Sequence, residues 1–501
     1  MLQHACLRIS QDCWHEVALV RAERINKFPG GLSAFWKLLL TKVFFDEFGH
    51  DMSIGGVHLE FPSGENKHVY IDYAVTLADE SALHSLFNCK GSSGLKPCLL
   101  CVNIFNWKTI RDVVAKDRTG TALHHTFSEF DKLVLHTSAS VTAIIEHLRT
   151  ARASGMPTAE FEELETRLGW NWNSAGAMAD PAVRQRIDPS KTCFFDPMHC
   201  FFVSGVFNFT AGLLLHNLRN HKVNMTALAN FMTCWKHPKA LSNHVDVKGV
   251  FSKDRLKSSL SDQRLKCSAS EGLCIYPIIA QWCSDMVDNA AIRPYCRCFL
   301  FLAHVLGLWQ RGVRKLSTAV ALKNAIVRFL REYRVIYGDA LMVIKFHYIL
   351  HIPLQFDALI NCWVHERKHK HVKKFANEIS NTSSDWDRSV LREISLARLW
   401  RLESMPHDQF CAGVNLKFPK SPSKRLQDAF KATLKLPADT VFSTSEVVQV
   451  DNYGEHIHVG DVALYRKIAD GAAAPGISVG KIEWHASFTH ADELSVVSCL
   501  E

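Results

Sequence analysis

The spacing of apolar residues changes character several times along this chain, and each change marks a different kind of element. Residues 5–9 and 17–20 carry short β-compatible runs. Pro29-Gly30-Gly31 then punctuates the chain, and Phe35, Leu38, Leu39, Val43 and Phe44 recur at a helical period. Residues 54–61 and 69–77 read as strands around the turn Pro62-Ser63-Gly64, with Asp79 just past the second. A helix is expected over 81–90, closed by Gly91. From about 126 to 356 the period is helical almost throughout, over 130–148, 161–168, 200–218, 225–235, 276–286, 296–309, 316–337 and 341–350. The Lys-, Arg- and Ser-rich stretch 251–270 interrupts it and reads as a mobile loop. Two more helical segments, 366–378 and 388–402, precede a basic run at 417–435 with Pro419 and Pro422. After 439 the pattern turns to short strands at 445–450, 456–465, 477–486 and 494–499.

The expected class is therefore α/β plus α: an α/β part over 1–125, a large helical insertion over 126–338, and a His-bearing helix with closing helices over 339–410. A basic linker, 411–438, leads to a small β module of barrel or SH3-like type at 439–501. A chain of 501 residues, 47% of them hydrophobic and 22% charged, can fill two or three cores. The net charge of +8 permits a polyanionic partner without demanding one. Sixteen cysteines without the spacing of a stapled secreted domain point to a reducing compartment. The most apolar run, 298–309, contains His304 and falls short of the about 20 residues a membrane helix needs, so a buried core helix is expected. With no signal-peptide pattern at the N-terminus, the expectation is a nuclear or cytoplasmic protein, neither secreted nor membrane-bound. The phosphate-binding P-loop, the nucleophile elbow and the dinucleotide fingerprint are missing from any strand-to-helix setting, which argues against NTPase, esterase and dehydrogenase chemistry.

Chemistry enters at five places. Cys98-Leu-Leu-Cys101 follows Gly94-Leu95-Lys96-Pro97, a turn that would aim two thiolates at one ion, although a pair alone also fits coincidence or half a redox motif. His347 and His351 stand at i, i+4, one turn apart on one helix face, and with the two cysteines supply the Cys₂His₂ set of a closed structural Zn²⁺ site. Asp196-Pro-Met-His199 opens an apolar helix and reads first as an N-cap. Cys193 and Cys200 flank it and offer a rival metal site with His199. Glu366 lies in the basic stretch 365–374, which is either a solvated helix face or a carboxylate aimed at a metal, with Arg367, Lys368, Lys370, Lys373 and Lys374 gripping phosphates. Asp79, at a strand's carboxyl end where sheets collect catalytic groups, and Glu366 would together hold Mg²⁺ or Mn²⁺ for two-metal phosphodiester chemistry, which normally needs a third carboxylate.

These motifs, in this order, resemble the DDE/D transposases of the CACTA-like (CMC) group and their relatives, the Transib transposases and the large subunit of the V(D)J recombinase. The resemblance covers roughly residues 15–380 and implies an RNase H-like catalytic fold, here partial. It makes Asp79 the second acid, Cys98 and Cys101 zinc thiolates, Asp196 with His199 the Asp-x-x-His element, His347, His351 and Pro353 the His helix, and Glu366 the final acid. Only 78 residues precede Asp79, and Asp12, Asp46, Asp51 and Asp72 stand in no first-strand context, so a chain that begins inside the catalytic fold is expected. The function implied is that of a transposon-derived protein acting on DNA, truncated relative to the intact family. The alternative is a non-catalytic, zinc-stabilised DNA- or chromatin-binding protein. DNA is the expected partner, and a homodimer is compatible with either reading. Gly460 to Tyr465 and Val479 to Trp484 look like strands of BAH- or SH3-like chromatin modules, which would give residues 439–501 a protein partner; a plain accessory barrel is the other option.

Overall fold

The computed structural model describes residues 16–45, 48–61, 64–106, 122–235, 246–313, 317–355, 362, 372–379, 385–403, 414–434, 437, 440–450, 455–459, 462–467, 476–490 and 493–500. The chain divides into two compact units, one of Ala18–Thr226 with Ser252–Glu366, the other of Met1–Val17, Ala227–Phe251 and Arg367–Glu501.

In the first unit a short helix, Ala22–Lys27, precedes α1 (Gly31–Phe44), which the Pro-Gly-Gly turn launches with Gly30 in the left-handed region at φ 81°. Residues 17–20, expected as a strand, are irregular. The hairpin β1 (Val57–Glu60) and β2 (Asn66–Val69) pairs antiparallel and is mostly exposed. The strand expected over 69–77 is therefore not one element. Its start belongs to that hairpin, residues 70–75 are irregular, and its end is β3 (Thr76–Ala78). The helix α2 (Glu80–Phe87) follows at once, and β4 (Ile104–Phe105) pairs in parallel with β5 (Leu123–His124). Next come α3 (Ser138–Ala153), started by a Thr137–Ser140 capping box, and α4 (Thr158–Leu168), which Gly169 closes at φ 81°. The strand β6 (Cys193–Phe195) then returns to pair in parallel with β3, with Thr76 opposite Cys193 and Ala78 opposite Phe195. Strands in this unit form separate two-stranded pairs among the described residues.

Helices make the rest of its core: α5 (Pro197–Phe202), α6 (Val206–Asn220), α7 (Lys253–Ser261), α8 (Ala269–Met286), α9 (Arg293–Val313), α10 (Ala319–Tyr337) and the single turn α11 (Lys345–Tyr348). The α9 face of Cys296, Phe299, Leu302, Val305, Leu306 and Trp309 is buried at i, i+3, i+4 spacing, against a matching stripe on α10. The chain turns between α5 and α6 at Gly205, where a Cβ would collide with the Cys200 carbonyl, so the close approach requires glycine. The window Pro197–Asn220 is long and apolar enough to cross a membrane by composition, and 78% of it is buried here among other helices. The stretch 251–270 is not a loop throughout: α7 buries Ser259 and Leu260, and Arg255 forks onto Glu271 at 3.1 and 2.7 Å, fastening α7 to the capped start of α8. A charged composition hid a helix that needs only one narrow apolar edge.

In the second unit α12 (Trp386–Glu403) carries Arg398, which meets Glu16 at 3.1 Å. The basic run expected as a linker contributes structure instead: β7 (Val414–Lys417) and α13 (Lys424–Leu434), whose buried Phe430 lies 5.5 Å from Phe442. β8 (Val441–Ser445) precedes the first expected strand; 445–450 falls on β9 (Val447–Val450), 456–465 divides into β10 (Glu455–His458) and β11 (Val462–Lys467) in different sheets, and 477–486 and 494–499 fall on β12 (Gly476–His490) and β13 (Glu493–Leu500). They form a three-stranded sheet, β10-β9-β7, and a four-stranded one in which β12 pairs with β11, β13 and β8.

Candidate metal centre

The Cys98–Cys101 loop is held from both sides before any ion is considered. The Asn106 side chain donates to the carbonyls of Ser92 and Gly94 at 2.9 and 2.5 Å, bracing the turn that leads into it. Beyond it, Val102 N donates to Val134 O and His136 N to Leu100 O, each at 2.8 Å. Between these anchors Leu100 N donates to Cys98 Sγ at 3.4 Å.

The histidines arrive from the far end of the unit. The helix expected over 341–350 is shorter than its periodicity suggested: residues 345–348 are α-helical, and the chain tightens into a 3₁₀ turn, Ile352–Gln355, around Pro353. The two rings nevertheless share a face, with His347 Nε2 and His351 Nε2 3.1 Å apart. His351 Nε2 lies 3.4 Å from Cys98 Sγ and 3.5 Å from Cys101 Sγ. A tetrahedron with Zn–S of about 2.3 Å and Zn–N of about 2.05 Å has S–N edges of roughly 3.6 Å and N–N edges of roughly 3.3 Å. The observed separations match those edges, and all four side chains are buried. The expected Cys₂His₂ set is thus brought together, and its geometry fits a zinc-sized ion coordinated through both Nε2 atoms. The Nδ1 atoms of His347 and His351 are buried without a hydrogen-bond partner among the described residues.

The electrostatics agree. Burial alone would raise the Cys98 thiol, but the Cys101 thiol bonded to it and the His351 and His347 rings outweigh burial and hold it well below the ordinary range. Burial, with that neighbouring thiolate, pushes Cys101 well above it. Two thiolates side by side need a cation, and a metal ion supplies one. Burial also lowers His347, keeping the ring in the neutral form a metal binds.

Asp79 directly follows β3 and caps α2, its Oδ1 accepting from Ala82 N at 2.7 Å. Its other oxygen makes no hydrogen bond among the described residues, and the residue is exposed. Asp196 directly follows the parallel neighbour β6 and caps α5 through Met198 N and His199 N at 3.3 and 2.9 Å. Register therefore sets both carboxylates at the carboxyl ends of adjacent parallel strands. Asp51 and Asp72 both pair with Arg186 and serve as ion-pair partners. Glu80, beside Asp79, has its pKa raised, chiefly by burial, and Tyr348 Oη donates to it at 3.2 Å.

The rival set of Cys193, Cys200 and His199 does not assemble. The thiol that joins Asp196 and His199 is Cys362, a residue sequence reasoning passed over because nothing in local spacing connects it to position 196. Glu366, Arg367, Lys368 and Lys370 lie outside the described residues, whereas Lys373 and Lys374 are exposed on the helix 372–378.

His136 makes the centre's surroundings acid-sensitive. Burial, helped by the Lys96 charge, depresses its pKa from 6.5 to about 4, and it packs edge-on to Trp170 with Nδ1 3.0 Å from Ser140 Oγ. The folded value lies below the unfolded one, so the unfolded chain takes up the proton first as pH falls. Stability should be full above about 6.5 and decline toward 4, this residue contributing about 3 kcal/mol of the loss. Urea midpoints at pH 7 and 4.5 check this: His136→Phe should fall less steeply than the native chain, and equal slopes would refute the assignment.

Compared with known protein families, curated proteins and solved structures, the chain finds no match.

Proposed function

We propose that this chain is a transposase-like protein with a partial RNase H-like core that acts on DNA in the nucleus, pinned by a structural zinc clasp and using Asp79 as one of its Mg²⁺- or Mn²⁺-holding carboxylates. The observation that carries this reading is the convergence, across some 250 positions of chain, of Cys98 and Cys101, the zinc thiolates of the family resemblance, with His347 and His351 of its His helix. Supporting it, Asp79 stands exposed at the end of a parallel strand with a carboxylate oxygen to spare. Glu366 is the companion acid in this reading, and Arg367, Lys368, Lys370 and the exposed Lys373 and Lys374 grip phosphate. A divalent cation held there supplies Lewis-acid activation of the phosphodiester. The role of Asp79 is to orient it.

Two assays on the full chain test this. Affinity for duplex DNA should fall roughly tenfold or more between 50 and 200 mM salt, as expected for two or more phosphate contacts. Nicking should require Mg²⁺ or Mn²⁺ and disappear in Asp79→Asn. The use of Asp79 as a helix cap favours a second reading, a zinc-stabilised DNA- or chromatin-binding protein without catalysis. Salt-dependent binding without nicking would select it, and loss of both activities would remove both readings.

A further inference from the structure

We infer that Asp196, His199 and Cys362 form a second zinc site, distinct from the Cys₂His₂ clasp and open at one coordination position. One donor atom from each lies within 4.8 Å of the other two. The donors are a carboxylate, an imidazole and a thiol, a set Zn²⁺ accepts, and three protein ligands leave a fourth position for water or a substrate atom. Their surroundings suit that number: Asp196 and Cys362 are buried, while the His199 side chain keeps 18% of its surface exposed, so the open side faces solvent.

Helix capping does not account for this arrangement. A cap needs the backbone donors Met198 N and His199 N, which Asp196 already has. It needs neither the His199 ring, whose Nδ1 lies 2.5 Å from Asp196 Oδ2, nor Cys362, whose backbone N donates to Asp196 Oδ1 at 2.8 Å. That last bond spans 166 residues and fastens the Cys362 backbone beside the carboxylate, so the thiol is delivered by a specific tether. Charge closes as well: one carboxylate, one thiolate and a neutral imidazole around a divalent ion leave no net charge, as a largely buried group requires. The zinc replaces the proton between His199 and Asp196 and the proton of the Cys362 thiol, releasing both to solvent.

Zinc content of the full chain, freed of loosely held metal, should be two per chain. Cys362→Ser and His199→Gln should each lower it to one, and Cys98→Ser should also leave one, held at the second site. Because Cys98→Ser removes the clasp and the folding energy it supplies, cobalt substitution gives a readout independent of that variant. Native protein would present three thiolates to Co²⁺, so the thiolate-to-cobalt absorption should drop by about one third in Cys362→Ser. Zinc should also slow alkylation of Cys362 by iodoacetamide. One zinc per chain, with a cobalt spectrum and alkylation rate that ignore position 362, would overturn the site; fast alkylation at 362 that is lost in His199→Gln would mark a Cys–His–Asp nucleophile instead.

Discussion

Replacing His351 by alanine should remove the clasp zinc and most of the stability of the unit that holds it. The ring is fully buried and its Nε2 lies within 3.5 Å of Cys98 Sγ, Cys101 Sγ and His347 Nε2, so it touches every other donor. Structural zinc contributes roughly 10–16 kcal/mol of apparent binding energy in small zinc domains, and that energy is folding energy because the unfolded chain presents no site. Whole domains are stable by only about 5–15 kcal/mol. Without the ion, the Cys98 and Cys101 sulfurs must share charge in a buried pocket, the arrangement that sets their two acidities so far apart. His351→Ala and Cys98→Ser should each release one zinc per chain and lower the urea midpoint sharply. A strong chelator should destabilise the native chain more than either variant, which has already lost the clasp zinc. Acid should act like the chelator, since protons compete for the thiolates and for His347, whose ring is kept neutral by burial. Unaltered zinc content together with an unaltered midpoint in either variant would refute the clasp.

The second large effect is expected at Phe195, one residue before Asp196. Its ring stacks on Tyr348 with centroids 4.1 Å apart and planes 12° from parallel, and lies 5.5 Å from the His351 ring. Its backbone N and O pair with the Gln355 amide at 3.1 and 3.3 Å, so the turn carrying the histidines runs along β6. Tyr348 continues the chain of contacts by donating to Pro97 O at 2.9 Å, just before Cys98. Phe195→Ala should cost about 3–5 kcal/mol, the usual range for emptying a buried aromatic site. It should also weaken zinc binding roughly 10–100-fold, as loss of a ligand's supporting contacts does. Tyr348→Phe, which keeps the stack and loses the hydroxyl shared between Pro97 O and Glu80 Oε1, should cost only about 1–3 kcal/mol. Urea titrations and competition with a chromogenic chelator separate the two; a Phe195→Ala variant with native stability and zinc affinity would show that the stack does not support the site.

What could be read without the structure followed the range of the interactions involved. Cys98 with Cys101, and His347 with His351, are local pairs whose spacing carries the geometry. Helices such as α9 and α10 announced themselves because one face supplies their burial. The run 69–77 misled because β-propensity says nothing about partners: its first residue pairs with Val57, its end with Cys193 and Phe194, and what lies between pairs with neither. The stretches 251–270 and 417–435 misled because charge was taken for lack of structure, whereas Leu260 and Phe430 suffice to seat a helix.

The sequence by itself determined the donor types, their order and their local spacing, because those depend on residues a few positions apart. Only the tertiary structure decided which donors meet. It joined Cys98 to His351 and Asp196 to Cys362, and set Asp79 beside Asp196 through the parallel register of β3 and β6. The physical reason is that contacts across hundreds of residues are selected by how all the buried faces pack at once, and no periodicity along the chain records that choice.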